Sequence, residues 1–293
     1  MARMLLVGGA GFIGRRAARM LAAGGVAARI LDQPQALARL DARPGVEPVP
    51  GDATSPEVVA AAADGCDGVI HLAGIMTLDA AADPARAVRI NVAASLNVLQ
   101  AAAARGLPVA YLSSAGVFGP GDATHPRPMT IYGVTKLAVE GLARVFAADH
   151  GVPSLGLRPY IVYGPGVSSG VAAGPSIAIA AALRREPATI RFSGRVGFVH
   201  VDDVARLLVA GVTRPRPGAH VLTMAGDTRE MTDFVAALRA RTGWDGIGID
   251  GPPLRIPTDL ASDPTPAWLG DHPITGIEAG IDASLAELRG DLR

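Results

Sequence analysis

The sequence predicts a doubly wound α/β fold, a parallel sheet with helices on both faces, followed by a small C-terminal substrate-binding domain. Three observations carry this expectation. Short apolar runs alternate with longer alanine-rich stretches through the first half of the chain, the first run leads directly into closely spaced glycines, and a carboxylate closes the second run. Strands alternating with helix-length segments imply parallel βαβ units with right-handed crossovers. Sheets of that kind bind ligands beyond the carboxyl ends of their strands.

Taken in order, residues 4–7 (MLLV) form an unbroken apolar run bounded by glycine, as a buried strand does, and a helix follows over 12–23. Residues 26–31 make a second strand and 46–49 a weaker third. A helix near 55–63 precedes a strong strand at 69–72 (VIHL). A helix over 84–104, a strand at 108–112, a helix over 131–149 and a strand at 153–158 complete the alternation. After Pro159 the rhythm changes. The Gly- and Ser-rich stretch 163–175 reads as a loop near a ligand, followed by a helix near 176–185, a strand-like 188–192 and a short helix near 202–213. Beyond 215 come two weaker strands (219–224 and 247–250), one helix (231–241) and a Pro-rich stretch, 252–273. The expected division is a dinucleotide-binding domain over 1–160 with a return segment at about 196–213. The remainder, 161–195 and 214–293, forms the smaller domain.

The chain has 293 residues, no net charge and 4% aromatic residues. That length supports a core without staples. Balanced charge and few aromatics argue against a nucleic-acid partner, which needs clustered cations and stacking platforms. The single cysteine, Cys66, excludes an intrachain disulfide framework and a multi-cysteine metal site, and no metal is expected. No uninterrupted apolar run reaches the roughly 18 residues of a membrane span, and the short apolar run near Met1 is too brief for a signal peptide. A cytoplasmic protein is expected.

The turn Gly8-Gly9-Ala10-Gly11-Phe12-Ile13-Gly14 follows the first strand and opens the first helix. Glycine there permits a tight turn, lets backbone approach a pyrophosphate, and lets the helix pack on the strand. The helix N-terminus then offers free N–H groups to the anion. Asp32 ends the second strand, where a carboxylate accepts both ribose hydroxyls and repels a 2′-phosphate. NAD is therefore the expected cofactor, although Arg15 stands within reach of a phosphate. Farther on, Tyr132 and Lys136 lie at i and i+4 on one helical face, and Lys136 is the only lysine in the chain. A cation beside a phenol favours phenolate and hence a general base. Ser114 sits upstream at a strand end.

These segments together resemble the extended short-chain dehydrogenases/reductases, the NAD-dependent epimerase/dehydratase family. The resemblance rests on GGAGFIG at 8–14, Asp32, Gly51-Asp52-Ala53, HLAG at 71–74 and Asn91-Val92. It continues through YLSSAGVFG at 111–119, YGVTK at 132–136, LRPYIVYGPG at 157–166 and FVHVDDVA at 198–205, in family order from residue 4 to about 210. It implies a catalytic triad of Ser114, Tyr132 and Lys136. It further implies cofactor contacts at Gly8, Gly11, Phe12, Ile13, Gly14, Asp32, Asp52, Ala53, Leu72, Ala73, Gly74, Asn91, Ser113, Tyr132, Lys136 and Tyr160. Asn91 would brace the helix beneath the site. His71 reads as a core histidine, His200 as structural, and Asp202 as the cap of the following helix. A homodimer built on the helices near 84–104 and 131–149 is also implied.

Two positions depart from the family's nucleotide-sugar epimerases, which carry Asn where this chain has Ile161 and Arg where it has Val196. Neither side chain donates to a phosphate, and Arg195, one residue earlier in an extended strand, faces the other side. A smaller sugar, sugar acid or other secondary alcohol is therefore the expected substrate. Its candidate contacts are Ile75, Met76, Ser114, His125, Ser168, Ser169 and Arg195. The leading expectation is an NAD-dependent dehydrogenase. A nucleotide-sugar epimerase or dehydratase with tightly bound NAD begins with the same oxidation and stands as the alternative. A non-catalytic cofactor sensor stands third, since that class tends to lose the tyrosine and lysine.

Overall fold

The order of apolar runs translates into strand order. The computed structural model describes residues 2–40, 43–167 and 169–291. Seven strands form one parallel sheet: β1 (Arg3–Val7), β2 (Ala27–Asp32), β3 (Val46–Pro50), β4 (Gly68–His71), β5 (Val109–Leu112), β6 (Ser154–Pro159) and β10 (Ala219–Met224), arranged β3-β2-β1-β4-β5-β6-β10. β4 is the central strand, with β1 beside it in register Leu6↔Ile70 and Val7↔His71. Both are buried on both faces, which is why they read as continuous apolar runs rather than alternating ones.

Helices cover the two faces. α1 (Phe12–Ala23) and α9 (Val201–Thr213) pack side by side on one face. α3 (Pro56–Ala63), α6 (Ala94–Arg105) and α7 (Ile131–His150) cover the other. Short helices α2 (Pro34–Leu37), α4 (Thr77–Ala82) and α5 (Pro84–Ala87) fill crossovers, and a π-helical segment, Val88–Ala93, links α5 to α6. The expected uniform helix over 84–104 is therefore widened in its first half.

The remaining elements build the other side of the site. β7 (Ile161–Tyr163), β9 (Arg195–His200) and β11 (Asp227–Glu230) form a three-stranded sheet, and β8 (Ala188–Ile190) pairs with β12 (Ile247–Ile249). α8 (Gly174–Arg184), α10 (Met231–Thr242) and α11 (Ile277–Asp291) pack around them. Tyr163, Phe198 and Phe234 form their aromatic core, with Phe198 stacked on Phe234 at 5.0 Å. Two expectations need correction. Residues 219–224, expected in the smaller domain, add β10 to the edge of the large sheet, paired with β6. The tail also carries a second helix, α11, which reaches back to α1 through Glu287, 2.5 Å from Arg16 and 2.9 Å from Arg19.

Candidate active site

The site lies where β1, β4 and β5 end. Gly8 has φ +77, and a Cβ placed there would lie 2.5 Å from the Ala73 nitrogen, so the turn after β1 touches the end of β4. Leu72 and Ala73 both donate their N–H groups to the Val7 carbonyl. A Cβ on Gly14 would collide with the Gly9 backbone, whereas one on Gly11 would meet only the Gly8 carbonyl, at 3.5 Å. Two glycines are thus required by packing, and the third faces open space at the helix end. Gly11 caps α1 without a side-chain bond, so the first N–H groups of the helix, those of Phe12 and Ile13 among them, have no side-chain cap.

Asp32 lies beside this turn, its carboxylate accepting from the Ala10 and Gln33 N–H groups at 2.9 and 2.8 Å. Asp52 closes a tight turn by accepting from the Thr54 N–H, and the Ala53 carbonyl accepts from Asn97. On the opposite side Arg15 donates to the Gly166 carbonyl at 2.8 Å, so the loop after β7 spans the mouth of the helix.

The π segment explains how Asn91 reaches its partners. π turns widen a helix locally and recur at functional sites. Here Asn91 accepts from the Ile75 N–H at 2.8 Å and donates to the Ile75 carbonyl and the Thr135 hydroxyl. It therefore ties the loop after β4 to α7. A Cβ on Gly74 would lie 3.2 Å from Asn91 Oδ1 and 3.5 Å from Lys136 Nζ. Lys136 is buried, donates to the Leu112 carbonyl at 2.9 Å, and places Nζ 5.7 Å from the centre of the Tyr132 ring. Ser114 accepts from the Gly116 N–H at 3.0 Å. Its hydroxyl and the Tyr132 ring would both contact a side chain at Gly116.

Burial pushes the Tyr132 phenol up to about 12, while its hydrogen bond with Ser114 draws it down. Burial pulls the Lys136 ammonium down to about 8. His71, the last residue of β4, is held neutral: burial and then the Lys136 charge bring it down to about 3. Its Nε2 pairs with Ser95 Oγ at 2.8 Å, as a core histidine would. His200 caps α9, its Nδ1 accepting from the Asp202 N–H. The cap expected of Asp202 is thus supplied by His200, and Asp202 lies 3.6 Å from Arg16.

Several expected residues stand apart. Ser113 is buried and donates its hydroxyl to Glu140 rather than facing the glycine turn. His125 is exposed and tied to Thr124, with Asp122 accepting from its backbone N–H. Arg195 is exposed opposite Glu230, while Val196 and Ile161 are buried. Met76 is 52% exposed beside Ile75, and Ser169 is exposed. Tyr160 sends its hydroxyl to the Ile256 carbonyl, bracing the Pro-rich tail. Ser168 lies outside the described residues. Sequence reasoning missed Thr135, Glu140 and Arg158. Glu140 could have been found, since it stands four residues beyond Lys136 on the same helical face.

Comparison with known proteins bears on this geometry. The family model described as "NAD dependent epimerase/dehydratase family" matches residues 4–225. UDP-glucose 4-epimerase of Azospirillum brasilense is 30% identical over 249 residues, covering 76% of this chain and 71% of that protein. D-erythronate dehydrogenase of Cupriavidus necator is 32% identical over 206 residues, covering 63% of this chain and 61% of that one. For two other curated relatives the match spans only 36% and 46% of their length. Among solved structures, MoeE5 in complex with UDP-glucuronic acid and NAD superposes with a TM-score of 0.85 at 27% identity, covering 99% of this chain and all of that one.

Proposed function

The chain belongs to the NAD-dependent epimerase/dehydratase family, and from that premise we propose that it is an NAD-dependent oxidoreductase acting at a secondary alcohol of a sugar, sugar acid or similar small molecule. The observation that carries the reading is the group formed by half-buried Ser114, just beyond the carboxyl end of β5, with buried Tyr132 and Lys136 of α7, Lys136 lying against Gly74 beside the residues that the glycine turn touches.

The residues at the β1 turn fit NAD. The open face at Gly11 and the uncapped N-terminus of α1 suit a pyrophosphate, Asp32 suits a ribose diol, and Lys136 beside Gly74 suits the second ribose. When bound, NAD supplies the hydride acceptor and donor. Tyr132 takes the proton from the substrate hydroxyl on oxidation and returns it on reduction. Ser114 holds that hydroxyl and shares a hydrogen bond with the phenol. Lys136 lowers the cost of the phenolate by proximity of its charge, and Asn91 keeps the loop and α7 in register. Tyr132→Phe should lower turnover by about 10²–10⁴-fold while leaving NAD affinity within about twofold. Full turnover in that variant on an identified substrate would sink the mechanism.

Buried Ile161 and Val196 favour a substrate without a nucleotide diphosphate, and the likeness to D-erythronate dehydrogenase supports a sugar acid. The second reading, a nucleotide-sugar epimerase or dehydratase, draws support from UDP-glucose 4-epimerase and from MoeE5. Denaturing the purified protein and assaying released NAD separates the two. Stoichiometric cofactor points to an epimerase or dehydratase that regenerates it internally. Empty protein that binds NAD reversibly points to the dehydrogenase, and NADH absorbance then screens sugars, lactones and sugar acids.

We read the protein as a cytoplasmic homodimer. Among the described residues no helix is long and apolar enough to cross a membrane, and α7 presents Val134 and Val145, each about half exposed, with Gly141 open between them.

A further inference from the structure

Behind the reacting groups lies a buried polar cluster that the chemistry above does not use. Tyr132, Lys136 and Glu140 stand at i, i+4 and i+8, sharing one face of α7. Glu140 is 6% exposed and accepts three hydrogen bonds: Oε1 from Ser113 Oγ at 2.5 Å and from Arg158 Nε at 2.8 Å, and Oε2 from Arg158 Nη2 at 2.6 Å. The Arg158 guanidinium also lies over the Phe118 ring, 5.2 Å from its centre. One carboxylate thereby joins α7, the end of β5 and the end of β6.

Ser113 is the link to the chemistry. It is 2% exposed, and its N–H donates to the Leu157 carbonyl at 2.8 Å. Ser114 follows in extended backbone, φ −165 and ψ 148, so the two side chains point to opposite sides of the chain. Ser113 turns toward Glu140 and Ser114 toward Tyr132. Fixing one fixes the direction of the other.

We propose that Glu140 is a positioning residue: it holds Ser113 against α7 and so keeps the Ser114 hydroxyl directed at the Tyr132 phenol. The inference rests on the roles of Ser114 and Tyr132 given above. An ion pair serving only the fold would be replaceable by well-packed apolar residues and would leave Tyr132 untouched.

An apolar residue at 140 alone would strand the Arg158 charge in the interior and endanger folding, so the primary test is Ser113→Ala, which keeps the Glu140–Arg158 pair. Tyrosine labelled with ¹³C at Cζ gives four signals, one per tyrosine, and Tyr132→Phe assigns the one of interest. Ser113→Ala should move the Tyr132 signal in the same direction as Ser114→Ala, and the double variant should go no farther. Glu140→Gln, which retains one acceptor oxygen, should move it the same way. On a substrate found by the NADH screen, Ser113→Ala should cost about tenfold in kcat in the native background but less than about twofold when added to Ser114→Ala, the non-additivity of residues acting through one another. An unmoved Tyr132 signal in folded Ser113→Ala or Glu140→Gln protein, or additive losses in kcat, would overturn the proposal. Full turnover in Tyr132→Phe would instead overturn the catalytic reading, and the labelled-tyrosine result still decides the positioning.

Discussion

Lys136 shows how a single residue sets function against stability. Its ammonium is buried with one backbone carbonyl as partner, and burial depresses its pKa from 10.5 to about 8. The unfolded chain binds that proton more tightly than the folded one. At neutral pH the folded state therefore carries the full cost of a buried charge, roughly 3 kcal/mol. The cost falls away as pH rises through 8 toward 10.5. Lys136→Met should accordingly raise the unfolding midpoint by several degrees at pH 7 while abolishing turnover, and its advantage over the native protein should shrink between pH 8 and 10. Thermal unfolding at a series of pH values measures this, and a variant less stable than the native chain at pH 7 would refute it. Lys136, Tyr132 and Asp32 were legible because each is chemically conspicuous in its context. Arg158 and Thr135 were not, because arginine abounds in this chain and a threonine on a helix carries no signal until its partner is known. Ser113 was misread for a related reason: in adjacent serines, sequence does not say which one faces the site.

Among elements, the glycine turn separates packing from binding. Gly8 and Gly14 are each closed in by backbone, whereas Gly11 faces open space with φ −75, a value any residue adopts. Gly14→Ala should therefore lower the unfolding midpoint by several degrees through a forced separation of helix and turn. Gly11→Ala should leave the midpoint nearly unchanged and weaken NAD binding by about tenfold or more, because its methyl group enters the space assigned to the pyrophosphate. Calorimetry and NAD titration of the two variants distinguish these effects, and equal affinity for NAD in Gly11→Ala would count against the assignment. Strands buried on both faces and alanine-rich helices announced themselves in the sequence. β11 did not: its residues, DTRE, are polar and partly exposed, and it exists because β9 offers an antiparallel edge. β9 was legible as the extended strand that carries Arg195, but not the reason for Gly197, which is required where the Ala225 carbonyl crosses it. α11 was hidden by Gly280, which sits on its inner face against Tyr163 and His200. In each case the deciding contact is distant in sequence.

For the whole molecule, the consequence of doubly wound topology is that α7 presents two different faces. Tyr132, Lys136 and Glu140 point inward, and the positions 134, 138, 141 and 145 recur at helical spacing on the outside, three of them Val, Ala and Val and one the open Gly141. A stripe with two half-exposed valines and small residues between them lets two helices approach closely, and a stable interface buries roughly 800 Å² per partner, more than one helix supplies. The adjoining face of α6 must contribute as well, and Leu96 on it is incompletely buried. If copies pair here, assembly braces the outer side of the helix that holds Tyr132. Val145→Glu places a charge at the C-terminal end of that stripe while leaving every inward group in place. It should convert the protein to a monomer in light scattering, with NAD affinity preserved because residue 145 lies about half a helical circumference from Lys136, on the face of α7 turned away from the proposed cofactor site. A native protein that is already monomeric, or a Val145→Glu variant that still dimerises, would remove α7 from the interface and leave its outer valines without a partner.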